Sequence, residues 1–233
     1  MSYITQSNEL DAVYTAVTQS QSRSIAFTSA YSQEGVTTLV LALARRILLA
    51  GHSVLIVDFN TYRPAFHKMM ALPALAENLL TPSLITDQSQ QLAITGICIP
   101  ESKSLRYKMK RADVLQETLE GWLSEYDYVL FDTTPIKHVN QKNISCLNVA
   151  SVCDATIIVV LSGHTSQNAV AELKQQLNNT GANILGCVLN DKNYPTLKEE
   201  ILREIGRMPN VLKWIKDGLT KTVKNNNFLK MDL

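Results

Sequence analysis

Apolar positions along the chain fall into two kinds of pattern. Residues 25–29, 54–57, 92–99, 128–131, 155–161 and 184–189 are short, nearly unbroken apolar runs rich in branched side chains. Runs of that kind predict strands covered on both faces, as a parallel central sheet requires. Between them the spacing turns helical. Leu10, Val13, Tyr14 and Val17 repeat at i, i+3, i+4 and i+7, with Asn8 as the expected N-cap. Residues 37–50 read as a second helix, stopped by Gly51. Val114, Leu115, Leu119 and Trp122 mark a third helix, and Ala169, Val170, Leu173 and Leu177 a fourth that Gly181 ends. Thr196 and Glu199 form a capping box ahead of Leu197, Ile201, Leu202 and Ile205. Strand–helix alternation predicts a doubly wound, mostly parallel α/β sheet in a single domain, residues 1–219, followed by a loose tail at 220–233.

Composition narrows the function classes. The 233 residues carry 22 Lys+Arg against 21 Asp+Glu, a net charge of +1, which gives no support to a nucleic-acid coat or a polybasic membrane binder. Hydrophobic residues at 45% and charged residues at 18% allow a real core and exclude global disorder. The cysteines Cys98, Cys146, Cys153 and Cys187 form no C-x-x-C pair and no zinc spacing. Cys98 and Cys187 sit in apolar runs and are expected to be small core residues. The start of the chain lacks a secretory apolar region, and Arg45 and Arg46 interrupt the longest greasy stretch. The expectation is a soluble, cytoplasmic protein.

The candidate chemistry lies at strand ends. The first strand ends in Thr28-Ser29, and the following loop, Ala30-Tyr31-Ser32-Gln33-Glu34-Gly35-Val36-Thr37-Thr38, runs into a helix. That is the place and length of a phosphate-binding loop, G-x-x-x-x-G-K-[ST]. There, backbone N–H groups wrap phosphates, a Lys neutralises them and a hydroxyl holds Mg²⁺. Gly35 and Thr37 match; Ala30 replaces the first Gly and Val36 the Lys. The second strand ends in Asp58-Phe59-Asn60, followed by Arg63-Pro64 and His67. A later strand ends in Asp132, and the last in Asn190.

In this order of motifs the chain resembles the bacterial tyrosine autokinases (BY-kinases) of capsule and exopolysaccharide synthesis, within the MinD/ParA class of P-loop ATPases. The resemblance runs from about Glu9 to Asn190. The family's loop resembles T-S-x-x-P-G-E-G-K-[ST]-T, and this chain keeps Thr28, Ser29, Glu34, Gly35, Thr37 and Thr38. The resemblance implies nucleotide-binding positions at Gly35, Val36, Thr37, Thr38 and Asn190, the last against adenine. It implies metal positions at Thr37, Asp58 and Asp132. Departures accompany these matches. Val36 replaces the catalytic Lys, Tyr31 the signature Lys, and Asn60 the second Asp of the Asp-x-Asp motif. The assembly motif Glu-x-x-Arg-x-x-Arg reads Glu9, Ala12 and Thr15, so no large ring is expected. The family's C-terminal tyrosine cluster has no counterpart after Tyr194.

Asp58 and Asp132 are therefore read as vestigial rather than catalytic, with the alternatives of an inherited strand terminus for Asp58 and a turn cap before Pro135 for Asp132. Thr37 is read equally as an N-cap-region hydroxyl, Asn190 as a strand-end cap and His67 as a packing residue. His52, His138 and His164 form no metal spacing. No resident cofactor is expected, with weak ATP and Mg²⁺ binding as the alternative. The expected function is a non-catalytic BY-kinase-like protein in polysaccharide synthesis or export, acting through protein contacts. Its partner would be the cytoplasmic end of a membrane polysaccharide co-polymerase, or a kinase paralogue, which would recruit it to the inner membrane face. Alternatives are a residual ATPase or tyrosine kinase, and a MinD/ParA-like positioning scaffold. Val211, Leu212, Trp214, Ile215 and Leu219, with Lys213 and Lys216, suggest a basic amphipathic helix for peripheral membrane contact or for packing on the sheet edge.

Overall fold

A computed structural model describes residues 8–65, 82–86, 93–98 and 102–192, together with Ile205 and Lys221. By backbone contacts the chain parts into residues 1–190 and 191–233. The expected C-terminal helices, the 219/220 boundary, Tyr194 and His67 lie outside the described residues, Ile205 apart.

The first unit opens with α1 (Asn8–Gln19), β1 (Ser24–Ser29), α2 (Val36–Leu49) and β2 (Val54–Phe59). It continues through β3 (Ser83–Thr86), β4 (Ala93–Ile97), α3 (Lys103–Lys108), α4 (Ala112–Glu125) and β5 (Tyr128–Thr133). A 3-10 turn (Ile136–His138) then leads to α5 (Cys146–Val152), β6 (Ala155–Leu161), α6 (Gln167–Asn179) and β7 (Ile184–Asn190). The strands form one sheet in the order β3-β4-β2-β5-β1-β6-β7. Six strands run parallel, and β3 pairs antiparallel to β4 at one edge. The fold is the doubly wound α/β sheet that the alternation predicts.

Burial follows from position in the sheet. Every residue of β1 and β2 is buried, because both faces of these inner strands carry helices. On one face Leu10 and Val17 of α1 and Val40, Leu43 and Ile47 of α2 pack with Phe27, Ile56 and Leu130. On the other, Leu115, Leu119 and Trp122 of α4 and Leu173 and Leu177 of α6 pack with Leu55, Phe59 and Phe131. Strand β7 departs from its expected burial on both faces. It is an edge strand, with Cys187 exposed and Leu189 66% exposed. The core assignment of Cys187 is thus overturned, and Cys98 is only half-buried; Cys146 and Cys153 are the buried pair of thiols.

Helix ends match their sequence signals where the signal is a glycine. Gly51 and Gly181 take positive φ, at 86° and 75°, just past α2 and α6. The short elements β3, α3 and α5 lie outside the patterns read from the sequence, and helices of six and seven residues are under two turns, too short to show a 3.6-residue period. A structural arginine also escapes it. Arg23, just before β1, donates from Nε to Asp127 O at 3.0 Å. Its Nη2 reaches Leu123 O at 2.6 Å and Tyr126 O at 2.9 Å. These carbonyls close the end of α4, where orphan acceptors otherwise face water. Arg23→Ala is expected to lower the thermal midpoint by about 3 °C. An unchanged midpoint in calorimetry would mean that water replaces the guanidinium without cost.

Candidate functional site

Strands β2, β5 and β1 are neighbours, so their carboxyl ends gather Asp58, Asp132 and the loop after Ser29 in one place. This is where an open α/β sheet places ligands. Asp58 and Asp132 are register partners on adjacent strands, and both are fully buried. Asp58 accepts the backbone N–H groups of Asn60 and Ala65, each at 3.0 Å. Asp132 Oδ2 accepts the Thr37 hydroxyl at 2.5 Å. Asp132 Oδ1 has no hydrogen-bond partner, although the Asn60 amide is near enough to favour the anion. Burial first, and then the Asp58 charge, raise the Asp132 carboxyl well above its ordinary range; Thr37 and Asn60 oppose this weakly.

Thr37 is therefore no helix cap. The N-cap of α2 is Gly35, at φ 102° with no side-chain cap, and the Thr37 hydroxyl turns to Asp132. A Cβ on Gly35 would stand 2.4 Å from Asn190 Nδ2, so glycine is required twice over, by φ and by space. Asn190 donates from that same Nδ2 to Glu34 O at 2.9 Å, which fastens the end of β7 to the loop. Thr38 lies half-buried in the first turn of α2.

Val36 is 7% exposed and belongs to the apolar cluster of α1, α2 and the sheet. The position of the phosphate-neutralising Lys is thus part of the core. Tyr31, at the signature-Lys position, places its ring edge-on to His164.

Glu34 does something the sequence did not signal. Its buried carboxylate accepts Ala30 N–H at 3.1 Å and the hydroxyl of Thr165. Burial raises its pKa, while Thr165, the Tyr31 and Ala30 N–H groups and His164 pull it down. Thr165 lies 131 positions further along the chain, and no local pattern joins the two. Arg63 reaches the same loop, its guanidinium facing the Gln33 side-chain amide. Asn60, where the family pattern has Asp, accepts Arg63 N–H at 3.1 Å and turns the loop after β2.

The relatives decide the family. The chain is 30% identical over 177 residues to the tyrosine-protein kinase CpsD of Streptococcus pneumoniae, an alignment covering 71% of this chain and 74% of CpsD. The chain belongs to the bacterial tyrosine-kinase family. Two solved structures share this kinase fold. The chimerical protein CapA2B2 superposes with a TM-score of 0.62 at 20% identity, over 78% of this chain and 82% of its own. The kinase domain of the Escherichia coli tyrosine kinase ETK does so with 0.59 at 20% identity, over 77% and 71%. No protein-family model matches the chain.

ATP with Mg²⁺ is the ligand a P-loop kinase fold implies, and the two halves of the site answer differently. Thr37, Asp58 and Asp132 supply hard oxygen donors, and the orphan Asp132 Oδ1 has capacity for a cation. Such a cation would be held by these oxygens and would neutralise the carboxylate pair. Among the described residues no group of three or more His, Cys, Asp or Glu is placed to hold a metal. The phosphate half lacks its fit, because an apolar side chain packed in the core stands in place of the ammonium.

Proposed function

We propose that this chain is a non-catalytic bacterial tyrosine kinase acting in capsule or exopolysaccharide synthesis or export by binding another protein. The observation that carries the reading is Val36, buried in the core at the place of the phosphate-binding lysine. Phosphoryl transfer is catalysed mainly by positioning and charge stabilisation, and the loss removes one of the charges that would supply it. Two contacts also brace the loop from within the chain: Glu34 accepts the Ala30 N–H, and Asn190 donates to the Glu34 carbonyl. The capsule setting and the partner, the cytoplasmic end of a membrane polysaccharide co-polymerase or a kinase paralogue, are carried over from the family.

A second reading, residual nucleotide–Mg²⁺ binding without turnover, is favoured by the retained Thr37–Asp132 contact beside Asp58. Thermal unfolding with millimolar ATP–Mg²⁺ separates the two. The non-catalytic, nucleotide-free reading expects no shift beyond about 1 °C. A ligand present at a hundred times its Kd adds about 2.7 kcal/mol, a shift of several degrees. Mass spectrometry after incubation with ATP–Mg²⁺ is expected to find no phosphotyrosine. Stoichiometric phosphotyrosine would return the chain to the active kinases.

A further inference from the structure

The chain's charges nearly cancel overall, yet they are unevenly placed. Lys103, Arg106, Lys108, Lys110 and Arg111 fall within nine consecutive residues, and no acidic residue occurs from Ser102 to Ala112. This segment is α3 and the turn into α4. Its apolar side is fixed: Met109 is buried and Leu105 packs against the core of the α4 face. The cations are therefore held on the outer side. Lys103, Lys108 and Arg111 are exposed, and Tyr107 between them is 63% exposed.

Few of these charges are neutralised. Arg111 pairs with Asp113. Lys110 lies over the Tyr107 ring, 4.7 Å from its centre, and donates to Gln141 O. That bond brings the exposed Lys142 loop to the same surface. Among the described residues Lys103, Arg106, Lys108 and Lys142 have no carboxylate within ion-pair distance. Unpaired cations beside an exposed tyrosine make a local positive potential that is complementary to an anionic surface.

We propose that α3 and its flanking turn form a docking face for an anionic lipid surface. A cluster of four to eight or so Lys and Arg residues on a helix is the electrostatic pattern that anionic leaflets attract. A tyrosine, apolar in the ring and polar at the tip, suits the headgroup level. The proposal stands on this segment alone and does not depend on the catalytic state of the loop.

Co-sedimentation of the full chain with vesicles tests it. Vesicles of phosphatidylcholine with about a third phosphatidylglycerol are expected to bind the protein, and pure phosphatidylcholine vesicles are not. Raising NaCl to about 0.5 M, where the Debye length falls to roughly 4 Å, is expected to release it. K103E with K108E is expected to lower vesicle binding at least tenfold, with the thermal midpoint unchanged because both side chains are exposed. Y107A is expected to weaken binding less. Equal binding to neutral vesicles, undiminished binding by the double variant, or no binding at all would overturn the proposal. Binding of poly-glutamate in place of the vesicles would also overturn it, and would assign the face to an acidic protein segment.

Discussion

Val36→Lys is expected to unfold several degrees below the native chain and still to turn over no ATP. The native side chain is almost wholly buried among Leu10, Val40, Phe27 and their neighbours. A lysine there loses those apolar contacts and brings an ammonium to a site built without one. Its long stem can carry the charge toward the loop, which moderates the penalty. A cost on the order of 3 kcal/mol remains for a partly desolvated, unpaired cation. At about 2–4 °C per kcal/mol for a chain of this size, the midpoint should fall by roughly 6–12 °C. ATP–Mg²⁺ should recover part of that loss, since phosphate supplies the missing counter-charge. Turnover should not return, because Ala30 and Tyr31 in the loop and Asn60 after β2 also depart from the family pattern. Thermal unfolding with and without nucleotide, alongside phosphate release, reads both effects. Full turnover from the single substitution would show that the loss is one residue deep and would end the claim of a remodelled site.

Asp132→Asn should act in the opposite direction and stabilise the protein at pH 7 by about 1 kcal/mol or more, a rise of about 3 °C at least. Burial first, and then the Asp58 carboxylate on the neighbouring strand, disfavour the charged form of Asp132, and one of its oxygens lacks a partner. The amide keeps an acceptor for Thr37 and offers an N–H toward Asp58. The pH dependence follows from the direction of the shift. The folded Asp132 pKa is raised above the ordinary value of 3.8, so the folded chain holds this proton more tightly than the unfolded one. The native chain is therefore free of the penalty below about pH 4 and loses stability as pH rises through the folded pKa. The gap between variant and native chain should close near pH 4 and widen above it. A variant less stable than the native chain at pH 7 would mean that a cation already neutralises the pair, and would favour the second reading of the site.

Much of this was legible along the chain, for definite reasons. A parallel strand covered on both faces is mostly apolar, so β1, β2, β5 and β6 announced themselves, and positive-φ glycines marked the ends of α2 and α6. The order of loop, Asp58, Asp132 and Asn190 placed the candidate site, because each stands at the carboxyl end of its strand. Val36 was visible as a missing charge. That it had become core was not, since a valine reads alike on a loop and in a cluster.

What the tertiary structure alone decided depends on pairings across long stretches of chain. Sequence cannot give strand order, so it could not show that β7 is an edge and that Cys187 and Leu189 face outward. Nor could it join Glu34 to Thr165, or turn the Thr37 hydroxyl from its own helix end to Asp132. The composition of the chain fixed how many cations it carries. Which of them stand unpaired together on α3 was decided by the burial of Leu105 and Met109, because anchoring one side of a helix holds the other toward solvent.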